Sequence, residues 1–260
     1  MIHPLLAVVT AFLFALPACA QEKGKTAASP SKNQNMKPVA ETNAKMKVEI
    51  WSDIVCPFCY IGKKNFEKAL SGFAGAEEIE VVWKSYQLSP GLVTDTTVSV
   101  DQYLARHKGI SVEEAHELNT YVTGMAAGAG LTYRLDKAVM ANSLRAHCFL
   151  HLARSYGRQQ EAAEKLFSAY FTEGKNIDDI STLTEIGIAA GLDGALVTKT
   201  LNEGGFTDAV RMDLLEADKI GVQGVPYFRF NGRRTVSGAM EPKVFREALE
   251  NSYEEWKNKR

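Results

Sequence analysis

Regular patterns of apolar and polar positions begin near residue 47. Residues 47–51 (KVEIW) alternate polar and apolar side chains and predict a strand that ends at Ser52-Asp53. Residues 57–72 carry apolar side chains at helical spacing, and residues 78–88 (EIEVVWKSYQL) predict a second strand. A strand, a helix and a second strand in this order are typical of a parallel strand pair. The helix is expected to expose its charged side chains: Lys63, Lys64, Glu67 and Lys68.

The middle of the chain shows almost no strand pattern. Helical spacing, punctuated by glycines, predicts helices over residues 100–107, 112–127, 137–156, 160–172, 180–190, 195–202 and 206–219. Strand patterns return only at residues 227–230 and 235–237, on either side of an Asn-Gly turn, and they predict a hairpin. A last helix is predicted from Pro242 to about Trp256. The chain therefore reads strand, helix, strand, a helical block, then strand, strand, helix.

The N-terminal region has a different character. Residues 5–18 form an apolar run that suits the core of a signal peptide and is too short to span a bilayer, although no Lys or Arg precedes it. Residues 18–20 (ACA) fit an ordinary signal peptidase site, whereas residues 16–19 (LPAC) resemble a bacterial lipoprotein box that would leave Cys19 lipidated. We predict a signal peptide over residues 1–20, and both cleavage patterns stay open.

Residues 21–45 lack apolar periodicity and are rich in Ser, Thr, Asn, Lys, Pro and Ala, so we predict a flexible linker. Together with the signal peptide, this segment predicts export to the bacterial periplasm or cell envelope. The protein would be soluble there or anchored by a lipid at Cys19.

Composition then excludes several classes of protein. The chain has 260 residues, 45% hydrophobic and 23% charged, and a net charge of −1. Such a charge disfavours sequence-independent nucleic-acid binding, which relies on many basic side chains. No apolar run reaches the roughly 18–20 residues of a membrane span. Four cysteines are too few for a disulfide-framework protein of this length.

Two of the cysteines form a C-x-x-C pair at the junction of the first strand and the first helix. A thiol at a helix N-terminus faces unpaired backbone N–H groups and the positive end of the helix dipole, which favour its thiolate form. Pro57 suits the first helical position because its missing N–H would have no partner there. We therefore predict that Cys56 attacks a disulfide in a partner and that Cys59, one turn later, resolves the mixed disulfide.

Half of a structural zinc site is the alternative interpretation of this pair. It needs two more ligands, and Cys148 with His147 and His151 could supply them from one helix. Cys148 also lies on an apolar stripe at helical spacing, which favours a buried inert thiol: Met140, Leu144, Cys148 and Leu152. We predict a redox pair and no metal.

The segment around the cysteines, residues 52–62 (SDIVCPFCYIG), closely resembles the active-site segment of the DsbA family of the thioredoxin superfamily, particularly its FrnE-like branch. Four further segments are similar to recurring stretches of that branch, in the same order: residues 142–147 (NSLRAH), 169–174 (AYFTEG), 221–226 (GVQGVP) and 237–239 (SGA). The resemblance implies an α/β thioredoxin fold over residues 46–92 and 205–257, interrupted by a large all-helical insertion over residues 93–204.

The resemblance also implies roles for individual residues. The bond between Val225 and Pro226 would be cis and face the cysteines, where its backbone would bind an extended substrate segment. Phe58 of the Pro57-Phe58 dipeptide stands where some DsbA proteins carry His, so we expect a weaker oxidant than those members. Asp53, three residues before Cys56, either relays a proton or caps the turn at the strand end.

These observations predict a thiol-disulfide oxidoreductase or isomerase that acts on reduced or misoxidised exported proteins. It would need no organic cofactor beyond its own redox pair, with glutathione a candidate reductant, and a further redox partner would recycle it. The alternative is a glutathione-dependent isomerase or transferase of the 2-hydroxychromene-2-carboxylate isomerase or kappa glutathione transferase type. Those enzymes generally have Ser at the position of Cys56 and lack the second thiol. A metal-binding or peptide-binding module is a third, non-enzymatic interpretation.

Overall fold

Four strands form one mixed sheet in the order β2-β1-β3-β4, in a computed structural model that describes residues 45–259. Strand β1 (Met46–Ser52) is parallel to β2 (Ile79–Ser85) and antiparallel to β3 (Tyr227–Phe230), which pairs antiparallel with β4 (Arg234–Ser237). The predicted signal peptide, Cys19 and all of the linker but Lys45 lie outside the described residues.

The helices of the described region are, in chain order, α1 (Pro57–Ser71), α2 (Val100–Lys108), α3 (Val112–Gly128), α4 (Leu144–Ser155), α5 (Gln159–Phe171), α6 (Ile180–Ala189), α7 (Gly194–Asn202), α8 (Thr207–Lys219) and α9 (Pro242–Lys257). A short 3-10 turn, Ala76–Glu78, precedes β2. Helices α2 to α8 all lie between β2 and β3 in the chain. The mixed α/β architecture with a helical block between the second and third strands is therefore confirmed.

Alternation along β1 divides the core between the two faces of the sheet. Val48 and Ile50 belong to the main core, into which α1 and α9 pack, and Phe66 of α1 lies between aromatic side chains of β3 and α9. Trp51 points to the opposite face and packs against Ala217 at the end of α8. The same period of two that predicted the strand thus places one helical layer on each face.

The insertion covers the outer edge of the sheet through β2. The Gln159 side chain of α5 accepts a hydrogen bond from the backbone N–H of Trp83 (3.1 Å) and donates one to its carbonyl (3.0 Å), as a neighbouring strand would. Gln160 donates to the carbonyl of Val81 (3.0 Å) and accepts from the indole of Trp83 (2.8 Å). Two glutamines therefore satisfy backbone groups that an open sheet edge would leave unpaired.

Three details differ from the sequence-based expectations. Helix α4 begins at Leu144 instead of residue 137, because Met140 pairs with Asp95 and the Asn142 side chain accepts the Leu144 N–H (2.8 Å). Strand β2 ends at Ser85 instead of residue 88, because the Asp53 carboxylate binds the backbone N–H of Leu88 (2.8 Å).

The third difference concerns Lys63, which was expected to face solvent and is 1% exposed. Its ammonium group donates to carboxylates of Glu67 (2.5 Å) and Glu164. Two carboxylates at close range offset the desolvation free energy of the buried ammonium group. Without such partners, burial of a charged lysine would be strongly unfavourable.

Candidate active site

The two cysteines occupy the first turn of α1. Cys56 is the N-cap residue, in an extended conformation, and Pro57 is the first helical residue. The Cys56 N–H donates to the carbonyl of Asp53 (3.1 Å), and the Cys59 N–H donates to the carbonyl of Cys56 (3.0 Å), so the turn is closed on both sides. Both cysteines are free thiols. The thiol of Cys56 therefore lies where the unpaired N–H groups and the dipole of α1 act on it.

The two thiols differ in their environment. Cys56 is 4% exposed, whereas Cys59 is fully buried. Burial raises the pKa of the Cys59 thiol well above its ordinary value, and the neighbouring Cys56 raises it further. Cys59 is consequently held as a thiol until its proton is removed, and only Cys56 is placed to meet a partner.

A loop from the far end of the chain completes the site. The Val225–Pro226 bond is cis, as the family resemblance implied, and the Cys56 Sγ lies 3.7 Å from the Val225 carbonyl oxygen. The carbonyl of Pro226 accepts a hydrogen bond from the N–H of Gly238 (2.8 Å). Helix α1 approaches this loop closely at Gly62, where an added Cβ would lie 2.9 Å from the Cγ of Pro226.

Phe58 forms the outer surface of the turn and is 40% exposed. Leu88, which is 48% exposed, is held by the same Asp53 whose carbonyl binds Cys56. Phe58 and Leu88 therefore each present an apolar side chain to solvent, on two segments that Asp53 ties together.

Asp53 lies behind the turn and is fully buried. Its carboxylate accepts the N–H of Leu88 (2.8 Å) and, more weakly, that of Val55 (3.4 Å). These contacts match the capping interpretation, because they close the turn after β1 and tie it to the segment after β2. The proton-relay interpretation stays a prediction.

His147 reaches Asp53 from helix α4. Its Nε2 lies 3.4 Å from Asp53 Oδ1, at ion-pair distance, but the alignment is too poor for a hydrogen bond. His147 is 1% exposed, and neither of its ring nitrogens has a hydrogen-bond partner within the described residues. The sequence named His147 as a possible zinc ligand, whereas the structure places an unpaired imidazole against a buried carboxylate.

Tyr133, which the sequence analysis missed, also contacts the redox turn. Its hydroxyl donates to the carbonyl of Pro57 (2.6 Å), and its ring stacks on Phe171 at 4.5 Å between centroids. Burial raises the pKa of Tyr133, and the adjacent Cys56 and Cys59 raise it further. Nothing in the local sequence signals this contact, because it joins residues far apart in the chain through tertiary packing.

A charged cluster fixes the outer side of α1 to the insertion. Glu164 of α5 accepts hydrogen bonds from Lys63, from Lys64 (2.5 Å) and from the hydroxyl of Tyr60 (2.9 Å). Burial alone would raise the pKa of Glu164, but the two lysines more than offset it and lower the pKa. The redox helix is therefore held by the insertion at its side as well as at its first turn.

The residues of the alternative zinc site are not gathered in the structure. Within residues 45–259, no group of three or more His, Cys, Asp or Glu side chains is arranged to hold a metal ion. Cys148 is buried, and its sulfur contacts the Thr207 hydroxyl at 3.8 Å. As for membrane spans, none of the helices in this part of the chain has the length and apolar character needed to cross a bilayer.

Residues 47–250 match the family model of the DSBA-like thioredoxin domain, so the chain belongs to this family of thiol-disulfide oxidoreductases. A probable DsbA oxidoreductase from Streptomyces coelicolor has a similar structure, with 36% identity and a TM-score of 0.75, over 81% of this chain and 91% of that one. The uncharacterized protein YwbO of Bacillus subtilis is 28% identical over 78% of this chain and 94% of its own length. The cytosolic disulfide reductase DsbM of Pseudomonas aeruginosa shares the fold, with 17% identity and a TM-score of 0.56, over 80% of this chain and 98% of that one.

Proposed function

We propose that this protein exchanges disulfides with exported protein substrates through Cys56 and Cys59, as a thiol-disulfide oxidoreductase or isomerase of the FrnE-like branch. One observation carries the proposal: the Cys56 sulfur at the start of α1 faces the Val225 carbonyl across 3.7 Å. A substrate strand that pairs with the backbone of Val225 would place its own cysteine beside that sulfur.

The exchange follows from the unequal burial of the two thiols. Cys56, as a thiolate, attacks a substrate disulfide and forms a mixed disulfide, while one substrate sulfur leaves as a thiolate. Cys59 then attacks Cys56, releases the second substrate thiolate and leaves the Cys56–Cys59 disulfide. Oxidation of a substrate runs through the same steps in reverse. Asp53 is the proposed relay for the proton that Cys59 gives up.

The proposed setting follows from residues 1–45, with export to the periplasm or cell envelope and a lipid anchor if Cys19 is retained. Reduced or misoxidised exported proteins are the proposed substrates. A separate redox protein recycles the pair, and glutathione serves as a small-molecule reductant. No bound organic cofactor or metal enters these steps.

The glutathione-dependent isomerases and transferases remain the alternative. Their chemistry needs an activated glutathione thiol and no second protein thiol, whereas this chain places two cysteines in one helical turn. Turnover of 2-hydroxychromene-2-carboxylate with glutathione, in the absence of any disulfide exchange, would favour the alternative.

Two assays test the proposal. One is the reduction of insulin disulfides by dithiothreitol or glutathione, and the other is the reactivation of scrambled ribonuclease. We expect the wild-type protein to accelerate both reactions and the Cys56→Ala variant to lose the acceleration entirely. Cys148→Ala is the matched control, because Cys148 is also a buried free thiol but lies against Thr207. A folded wild-type protein that accelerates neither reaction would contradict the proposed function.

A further inference from the structure

Unpaired polar atoms are concentrated behind the redox pair. Four buried side-chain N or O atoms in the described part of the chain lack a hydrogen-bond partner: Ser52 Oγ, His147 Nδ1, His147 Nε2 and Ser252 Oγ. Three of them flank Asp53, which follows Ser52 in the chain and lies 3.4 Å from His147. A buried polar atom without a partner lowers the stability of the fold, so such a cluster calls for a functional explanation.

The resolving step of the exchange needs a base at this place. Cys59 must lose its proton before it can attack the mixed disulfide, and burial, the largest cause and one that does not depend on a free Cys56, raises its pKa above the ordinary value. Bulk water does not reach the thiol directly, since Cys59 and Asp53 are fully buried and Ser52 is 2% exposed. The proton must therefore pass first to a buried group.

Among the groups around the site, only two neighbouring residues are free to accept this proton. Tyr170 of α5 faces Asp53, and Tyr103 of α2 faces Tyr170; burial, then these neighbours, raises the pKa of Tyr170 and keeps it a neutral acid. Tyr133 is likewise kept neutral, mainly by burial.

The other ionisable groups near the site are already bound. Glu164 binds Lys63, Lys64 and Tyr60. His151, one turn along α4, binds Asp213 of α8 and Ser85. Asp53 and His147 remain.

We infer that Asp53 and His147 act as one buried acid–base pair that accepts the Cys59 proton through the Ser52 hydroxyl. The hydroxyl lies beside the Cys59 sulfur without forming a hydrogen bond of normal geometry. In the step, the Cys59 sulfur bonds to Cys56, the bond from Cys56 to the substrate breaks, and the substrate leaves as a thiolate. The proton stays on the Asp53–His147 pair. The dithiol is oxidised and the substrate disulfide is reduced, so the step balances. This inference rests on the proposed function.

A particular pH dependence follows for the second step alone. With the pair intact, the resolving rate is sustained at neutral pH because a base is already in place. Without His147, Asp53 is the only acceptor left, so the rate falls at neutral pH and recovers as rising pH favours loss of the Cys59 proton. Attack by Cys56 precedes this proton transfer and is unaffected.

Stopped-flow reaction of the reduced protein carrying Cys19→Ala with Ellman's disulfide separates the two steps, since Cys56 and then Cys59 each release one thionitrobenzoate and Cys148 is buried. We expect His147→Gln to slow the second release at least about tenfold at pH 7, to leave the first unchanged, and to approach wild type at high pH. His151→Gln is the matched control on the same helix and should keep the wild-type rate of the second release. Cys59→Ala should abolish the second release.

A His147→Gln protein with the wild-type rate and pH profile of the second release would overturn the inference. If that variant does not fold, His147→Asn and Asp53→Asn decide: slowing of the second release alone in both variants supports the pair, and an unchanged second release in either contradicts it. Failure of the proposed function would give a different result, because the wild-type protein would then not accelerate insulin reduction.

Discussion

Two buried Asp–His pairs share helix α4, and they differ in how completely they are satisfied. On the inner side of α8, the Asp213 carboxylate lies 3.0 Å from the Nε2 of His151. It also binds the Lys84 ammonium (2.8 Å) and the Ser85 N–H (2.8 Å). Behind the redox turn, one helical turn away, Asp53 faces His147 at 3.4 Å, and both nitrogens of His147 lack hydrogen bonds. The satisfied pair joins elements of the fold, whereas the unsatisfied pair adjoins the thiols.

This difference separates stability from chemistry. The network beneath α8 extends through Glu216 to Arg229, which also binds Glu49 (2.8 Å), so it connects α8 to three strands. Such a network, with its polar groups satisfied, makes the elements that it joins rigid. The Asp53–His147 pair, which changes its protonation in each cycle, needs fewer fixed hydrogen bonds than this network has. We therefore expect changes in the network to alter unfolding and changes at the redox centre to alter exchange.

The largest effect is expected for Asp213→Ala. The change leaves the Lys84 ammonium, 15% exposed, with one partner fewer, and it also unpairs the Ser85 N–H. Loss of one partner of a buried ion pair costs about 3–5 kcal/mol, measured as the free energy of unfolding in urea. Asp208→Ala on the same helix is the control, because its side chain is 92% exposed and its pair with Arg211 contributes at most about 1 kcal/mol. Equal stability of the two variants would contradict the comparison.

The same carboxylate predicts a dependence of stability on pH. Burial alone would raise the pKa of Asp213, but hydrogen bonds from His151, Lys84 and the Ser85 N–H more than offset it and lower the pKa. The stability it contributes is present above the unfolded value of about 3.9 and is lost as the pH falls through the lowered folded value.

We therefore expect the gap in unfolding free energy between wild type and Asp213→Asn to be constant near neutrality and to narrow below about pH 4. Urea titrations between neutral and acid pH measure it. A gap that stays constant, or widens, in acid would show that the carboxylate has no lowered pKa.

At the redox centre, Gly62→Ala should slow exchange. Its Cβ would lie 2.9 Å from the Cγ of Pro226, so the helix or the loop must move, at a cost of about 1–3 kcal/mol in stability. Because the same movement displaces Val225 from Cys56, we expect insulin reduction to slow about tenfold for a misplacement of this size. Gly124→Ala on α3, where an added Cβ meets open space, should leave the rate unchanged. Equal rates for the two variants would exclude a role for this close approach.

A smaller change is expected for Phe58→His, which places a cation beside the Cys56 thiolate. It should make the protein more oxidising by about tenfold in its equilibrium with glutathione, or about 30 mV. Phe58→Leu controls for the loss of the aromatic ring and should leave the equilibrium nearly unchanged. An unaltered equilibrium in the His variant would show that this position does not set the redox potential.

Local patterns predicted most of the fold because its strands and helices carry their periods in contiguous sequence. The hairpin of β3 and β4 and the helices of the insertion lie within a few residues of their expected bounds, apart from the start of α4. The cysteine pair was equally visible, since Pro57 and the strand before it mark the helix start. The errors at residues 137–143 and 86–88 have a tertiary cause, because Asp95 and Asp53 bind those segments from elsewhere in the chain.

The other residues of the site could not be predicted from the sequence, because they also meet through tertiary packing. Tyr133 contacts Pro57, and Glu164 holds Lys63, only after the insertion packs on α1. The pairing of Asp53 with His147 joins a turn to a helix more than ninety positions away. Each of these residue types is common at surfaces or in cores, so only the fold shows what it contacts.

Trapping of substrates at Cys56 tests the central claim most directly. The Cys59→Ala variant, produced as the full chain and exported in a bacterial host, cannot resolve mixed disulfides and should accumulate them on Cys56. We predict that mass spectrometry of the purified adducts identifies exported proteins joined to Cys56, and that Cys56→Ala/Cys59→Ala yields none. Adducts of small thiols alone at Cys56 would contradict the account.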